Sequence, residues 1–349
     1  PLSLMCVPLS IHRQWKVAIY LENNLTHSAF TEERVQVIKL LAAQAAISIE
    51  NARIYEEQEK LLRAQQRFVP DQFLSHLGHS DIAKVKLGES VAMEMSVLFS
   101  DIRDFTPLVE LLSPESVILL LNQYFSKIGP EIIDQGGFID SFAGDEILAL
   151  FAVPASQAVK AGIGMSKALI EFNKESEVLG RPLLNMGIGI NTGPLVLGTM
   201  GGENRMQCTV LGDTVNLGSR IESLTKVYGS PFLISEQTFK ALSNPDEFSW
   251  RMVDRVAVKG KAKAVNLYEI LDAEQEDRKK AKELSSKPLR SGMEAYFKRN
   301  FHEALSYFEK GNKIDPEDRV FPIFISRCLN YLEHPPGKDW QGYEVLQHK

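Results

Sequence analysis

Cysteine is scarce. Cys6, Cys208 and Cys328 are the only three in 349 residues. They are too widely spaced for a disulfide framework or a zinc-binding cluster, which fits a reducing cytoplasm. A basic excess is also missing: 39 Lys and Arg stand against 45 Asp and Glu, a net charge of -6. That removes the chain from the basic nucleic-acid binders, and no nucleic-acid partner is expected. No apolar run reaches the roughly 20 residues that a membrane-crossing helix needs. There is no initiator methionine and no signal-peptide layout; the chain opens on Pro1. We read it as part of a longer protein, which leaves open a membrane attachment through upstream sequence. What remains is an ordinary folding composition, 44% hydrophobic and 24% charged. At about 150 residues per domain, the length predicts two or three domains.

Residues 1–22 read as strands, with Val17, Ile19 and Leu21 alternating before Glu22-Asn23-Asn24. A helix is expected from Thr31 to about Val69. Along it Leu40, Ile47, Ile54, Leu61 and Phe68 recur every seven residues, while Gln44, Asn51, Gln58 and Gln65 hold the positions four further on. One seam position is apolar and the other polar, which predicts a weak but register-specified parallel coiled coil that transmits a signal. A long helix packed on its own domain is the plainer alternative.

Residues 91–271 alternate strands and helices. Strands are expected at Ala92–Phe99, at Phe138–Phe151 as a pair broken at Ala143-Gly144-Asp145, at Met186–Ile190 and at Val265–Ile270. Helices are expected at Pro114–Ile133, Ala155–Phe172 and Asp213–Val227. The order predicts an α+β fold with helices on one side of the sheet. Residues 272–288 read as a charged linker. Beyond it Gly292, Ala304, Phe308, Gly311 and Pro316 have the spacing of one tetratricopeptide repeat, with Ala295 where an aromatic is usual. A single repeat buries no core of its own, so this tail is expected to dock on a neighbour.

Two carboxylates stand out. Asp101 ends a strand ahead of Ile102-Arg103-Asp104-Phe105-Thr106, and Asp145 sits at a strand-to-strand turn after Gly144. Thr106 suits the cap of the next helix and Pro107 its first position. A helix start beside a carboxylate holds phosphate while the carboxylate holds a bridging metal. On adjacent strands the two aspartates would repel one another unless a divalent cation lay between them. Each alone also fits a solvated turn aspartate. Farther on, Asp213 or Thr214 suits a helix cap, and Asn216 and Arg220 share one helical face, an amide and a guanidinium suited to ribose and phosphate. That face also fits pairing with Glu222 or solvent.

Together these segments resemble the class III nucleotidyl cyclases, the adenylate and guanylate cyclases. The likeness covers roughly residues 68–272. It rests on Phe68-Val69-Pro70, the Leu98–Thr106 stretch, Gly144-Asp145-Glu146, Gly187–Pro194, Gly212–Arg220 and Val258-Lys259-Gly260-Lys261. The resemblance implies a ferredoxin-like, palm-type domain that turns ATP, or alternatively GTP, into a 3',5'-cyclic nucleotide and pyrophosphate. Asp101, Asp145 and the carbonyl of Ile102 would hold two Mg2+ or Mn2+ ions. Asn216 would orient the ribose, Arg220 would stabilise the transition state and Lys259 would hold the terminal phosphates. Amides around Phe105 and Thr106 would grip phosphate. The resemblance further implies a homodimer whose active sites are shared between chains. Residues 1–52 resemble the end of a GAF sensor domain, which implies an upstream sensor in the full protein.

The chain departs from the family at the base-reading positions. Ser141 stands where adenylate cyclases usually carry Lys, and Thr209 where Asp or Thr is found; guanylate cyclases usually carry Glu and Cys. Thr209 leans towards ATP, and Cys208 is shifted by one from the guanine-reading position. A diguanylate cyclase, suggested by Ala143–Ile147, is opposed by the Asn216–Arg220 helix; a non-catalytic nucleotide-binding dimer module is the rival that Ser141 supports. The expected division is a GAF-like remnant at 1–52, a signalling helix and linker at 53–84, the cyclase domain at 85–273, and a linker with a repeat-like helical tail at 274–349.

Overall fold

The computed structural model describes residues 1–11, 15–66, 68–202, 204–258, 264–337 and 339–346. The chain forms two compact units, Pro1–Val69 and Pro70–Lys349.

In the first unit β1 (Ser3–Ile11) and β2 (Trp15–Asn23) form an antiparallel hairpin, followed by the 35-residue α1 (Glu32–Gln66). Ala42 is buried against Val7, with Ile38 and Ala46 packed beside it. These three helix positions are four apart, so they form one stripe. The heptad positions lie on another stripe. Leu40, Ile47, Ile54 and Leu61 are 75, 55, 42 and 62% exposed. The apolar seam is therefore not used by its own hairpin. Ion pairs Arg53–Glu57, Lys60–Glu56 and Arg63–Glu59, each one turn apart, support the second half of the helix.

The second unit opens with α2 (Asp71–His76) and β3 (Ser90–Ile102). Next come α3 (Phe105–Glu110), α4 (Pro114–Asp134), β4 (Phe138–Ala143), β5 (Glu146–Phe151) and α5 (Ala155–Val178). They are followed by β6 (Met186–Gly202), β7 (Arg205–Leu211), α6 (Asp213–Tyr228), β8 (Phe232–Ser235) and α7 (Glu236–Lys240). The unit closes with β9 (Trp250–Val258), β10 (Ala264–Ile270), α8 (Glu276–Phe297), α9 (Phe301–Ile314), α10 (Val320–Glu333) and β11 (Glu344–Leu346). Among the described residues one sheet runs in the order β11-β9-β10-β8-β6-β3-β5-β4, with β7 on the second half of β6. The β6–β8 and β9–β11 pairs are parallel and the rest antiparallel. Residues 70–84, read from sequence as linker, are packed: Phe73 of α2 is fully buried among Val97, Phe99, Phe138 and Leu197.

Helices cover both faces of the sheet, not one. Leu98, Ile102, Ile188, Ile190, Phe232 and Ile234 face α4 and α5. On the other face Leu233, Val253, Val256 and Leu267 pack under α6 and the tail helices through Tyr296, Phe308 and Phe324. Glycine makes the second layer possible. A Cβ on Gly189 of β6 would lie 2.6 Å from the Cα of Glu222, and one on Gly218 would lie 3.1 Å from the Phe99 ring. With no side chain there, the α6 backbone rests directly on the sheet. The stretch read as a charged linker instead leads from a short 3-10 turn into α8 and forms somewhat more than its first half. Its charges pair in space: Lys279 with Asp272 at 2.6 Å, Lys282 with Glu269 at 2.6 Å and Arg278 with Asp315 at 2.8 Å. The tail thus docks on its own sheet, where Gly292 gives Phe308 of α9 room against α8.

Candidate active site

β3 ends at Ile102, which puts Asp101 at the rim of the sheet. β5 lies beside it, with Ser100 facing Ile147. The β4–β5 hairpin turns at Gly144, whose φ of +68° is a conformation that glycine adopts without strain. This turn brings the Asp145 carboxyl into hydrogen-bond contact with that of Asp101 and with the backbone N–H of Ile102. Burial, then the hydrogen bond and charge of Asp101, push Asp145 up to about 7. Burial, then the charge of Asp101, also raises Glu146. Two carboxylates held together at a strand end repel one another when both are charged.

The next helix starts two residues earlier than expected. Asp104, at φ +52°, takes the cap position of α3, and neither Thr106 nor any side chain caps it. The reason is that the chain reverses in the left-handed region at Asp104, so Phe105 already opens the helix. Phe105 and Thr106 therefore lie in the first turn, whose N–H groups have no intrahelical acceptor. A similar shift occurs at α6. Gly212 is its cap, Asp213 is its first residue, and the Thr214 hydroxyl instead donates to the Pro194 carbonyl at 2.6 Å.

Asn216 and Arg220 sit on the exposed face of α6, while Leu217, Ile221, Glu222 and Thr225 are buried beneath. The inner face touches the aspartate strand through Arg103, whose Nη1 lies 3.2 Å from Glu222 Oε1. Burial pushes Glu222 up to about 7 against the pull of Arg103, and burial likewise lowers Arg103. Desolvation thus outweighs the mutual attraction for both partners. At the surface Lys226 reaches Asp104 at 3.2 Å. Sequence reasoning named Glu222 only as a partner for the exposed face. The signal for its inward role was Gly187 and Gly189, which leave room for Arg103 and α6.

Ser141 lies on β4 just past a register shift, and its hydroxyl hydrogen-bonds the Asp140 carboxylate. Thr209 on β7 faces Gly198, while Cys208, one residue earlier, packs against the core with its thiol raised by burial and then by Asp140. Adjacent strand residues point to opposite faces, so Cys208 and Thr209 cannot serve one surface. Asp140, a half-buried carboxylate that contacts Ser141 and raises the Cys208 thiol, was missed in the sequence because it looks like one more polar strand residue. Lys259 lies outside the described residues.

The profile of the adenylate and guanylate cyclase catalytic domain matches residues 89–272. The chain belongs to this family. It is 41% identical over 273 residues to a terminal-differentiation specific adenylate cyclase of Dictyostelium discoideum, covering 76% of this chain and 13% of that protein. It is 38% identical over 268 residues to an adenylate cyclase of Anabaena cylindrica, covering 74% of this chain and 53% of that one. The chain therefore spans about half the length of the second relative and far less of the first. A bacterial light-regulated adenylyl cyclase shares the fold of the cyclase domain, with a TM-score of 0.56 at 24% identity over 64% of this chain and 63% of that one. Among the described residues no helix is long and apolar enough to cross a membrane.

Proposed function

We propose that this cyclase domain converts ATP to 3',5'-cyclic AMP and pyrophosphate, in a homodimer whose active sites are shared between chains. The observation that carries the reading is the contact between the Asp101 and Asp145 carboxyls at the rim of the sheet. The pair fits Mg2+ or Mn2+, hard cations that take one or two protein carboxylates and complete their shell with substrate phosphates. The carbonyl of Ile102 is the third protein ligand in this reading. Two such cations, when bound, supply acidity to the ribose 3'-hydroxyl and neutralise the triphosphate.

The chain's own residues do the positioning. First-turn N–H groups of α3, at Phe105 and Thr106, hold phosphate. Asn216 orients the ribose, Arg220 meets the charge that builds on the α-phosphorus, and Lys259 holds the terminal phosphates. The 3'-oxygen attacks the α-phosphorus in line, its proton leaves to solvent, and the bond to pyrophosphate breaks. In this reading Asn216 and Arg220, on the exposed face of α6, serve the aspartate pair of a second chain. Ser141 and Thr209 border the base, and the two adenylate cyclase relatives favour ATP over GTP. In the whole protein residues 1–52 end a GAF-like sensor, α1 couples it to the dimer, and the repeat-like tail braces the sheet; the reaction is cytoplasmic.

Incubation of the purified chain with ATP or with GTP and Mn2+, followed by product analysis, tests this. Cyclic AMP as the main product is expected. Absence of any cyclic mononucleotide would overturn the reading, and cyclic GMP as the main product would move it to the guanylate branch.

A further inference from the structure

The tail meets the sheet through a set of satisfied cations. Arg251 pairs with Glu269 at 2.6 Å and Asp318 at 2.5 Å, and Arg327 pairs with Asp254 at 2.7 Å. Two guanidinium groups depart from this pattern. Arg255 of β9 donates its Nε–H to the neutral Asn266 amide oxygen at 3.0 Å and lies 5.0 Å over the Phe297 ring. Arg290, exposed on α8, has no hydrogen-bond or ion-pair partner among the described residues. Both line one cavity of about 530 Å³ between β9, β10 and α8.

The walls of this cavity are apolar and partly aromatic. Trp250, Tyr268 and Phe297 line it, with Met252 and Met293 between them. The rings are held in place: Tyr268 stacks on Phe239 at 4.1 Å and meets Trp250 edge-on at 5.7 Å. Glu294 is the one carboxylate in the lining, against three guanidinium groups, of which Arg251 is already neutralised. A cavity of this size, with aromatic walls and cations that have no carboxylate of their own, matches the make-up of small-molecule sites. A flat apolar body would stack on the rings. A carboxylate at its end would meet the guanidinium groups in the geometry they favour.

We propose that this cavity binds a small aromatic carboxylate. The lining includes none of the residues assigned catalytic roles above, and the proposal does not depend on that activity. Its walls come from the cyclase sheet and from the tail, so a ligand there stabilises the docked tail by binding only the docked state.

Calorimetric titration of the full chain with 1-naphthoate, and with neutral 1-naphthylmethanol, tests the proposal. One saturable naphthoate site per chain is expected. Arg290→Gln should weaken naphthoate by about tenfold, one charged contact's worth, and leave the alcohol unchanged. Ser286→Trp, which fills the cavity from α8, should abolish binding of both. Arg290 is exposed, so its replacement tests the charge even if the tryptophan variant folds poorly. Lack of saturable naphthoate binding, an unchanged naphthoate affinity in Arg290→Gln, or full binding in a folded Ser286→Trp would overturn it.

Discussion

Asp145 and Glu222 are both carboxyls that burial pushes up to about 7, but their partners differ in sign. Asp145 faces another carboxylate, whereas Glu222 faces a guanidinium. Replacing either Asp101 or Asp145 with Asn should therefore abolish cyclase turnover while the melting temperature holds or rises, because the repulsion disappears. Retained turnover in either variant would contradict their role. For Glu222 the pH dependence follows from its raised value. The folded state keeps this proton up to about 7 and the unfolded state only to its ordinary 4.5. Its contribution to stability is full below 4.5 and declines as pH rises from there to about 7. Thermal melts from pH 5 to 8 should accordingly be flatter for Glu222→Gln than for the natural chain. At the base-reading position, Ser141→Lys adds a charged donor and should raise the ATP-to-GTP preference by about ten- to a hundredfold. An unchanged ratio would remove Ser141 from that role.

Among the elements, α6 depends most on what is absent from its neighbour. Gly189→Ala places a methyl against the Glu222 backbone, which cannot yield as a side chain would. Overpacking of this kind costs about 1–3 kcal/mol, readable by denaturant titration. A displacement of α6 by about 1 Å would lower turnover about a hundredfold. Full activity in this variant would show that α6 need not lie so close. The elements that the sequence made legible are those whose periodicity is local: α1, the Phe138–Phe151 hairpin and the body of α6. Two others were misread for physical reasons. β6 continues past Ile190 through Gly193-Pro194, normally stop signals. Pro194 falls between the part of β6 that pairs with β8 and the part that pairs with β7, so its missing N–H breaks no ladder bond on that edge. The charges of α8 looked solvated because their partners, Asp272, Glu269 and Asp315, lie in other elements. In the site, the shared face of Asn216 and Arg220 was legible from spacing, whereas the meeting of Asp101 and Asp145 was an expectation conditional on their strands being adjacent. The cap positions and the Asp140–Ser141 contact were not, since they follow from a left-handed residue and a β-bulge.

At the scale of the molecule the tail closes the second face of the sheet around a buried charge network. Burial alone would raise Glu269, but Arg251 and Lys282 overcome it and hold the carboxyl down to about 2. Its stabilising effect is present above its ordinary 4.5 and is lost as pH falls from there towards 2. Acid titration should unfold the tail interface over this range, and Glu269→Gln should shift the midpoint to higher pH; an unshifted midpoint would separate Glu269 from acid unfolding. Sharing of sites between chains has its own test. Mixing Asp101→Ala chains with Arg220→Ala chains should restore part of the activity, since one of the two sites in each mixed dimer is intact. Failure with mixed dimers demonstrably formed would argue against shared sites.

The long pairing of β3 with β6 carries a consequence for how the domain comes to exist. Ser90 faces Gly198 and Ile102 faces Met186, so the strand bearing Asp101 finds its longest partner only after the intervening helices and hairpin have been made. Closing so large a loop is entropically costly before any contact repays it. Long-range strand pairing of this kind slows folding. While it is being synthesised, the apolar edge of β3 waits unpaired on that side until β6 emerges.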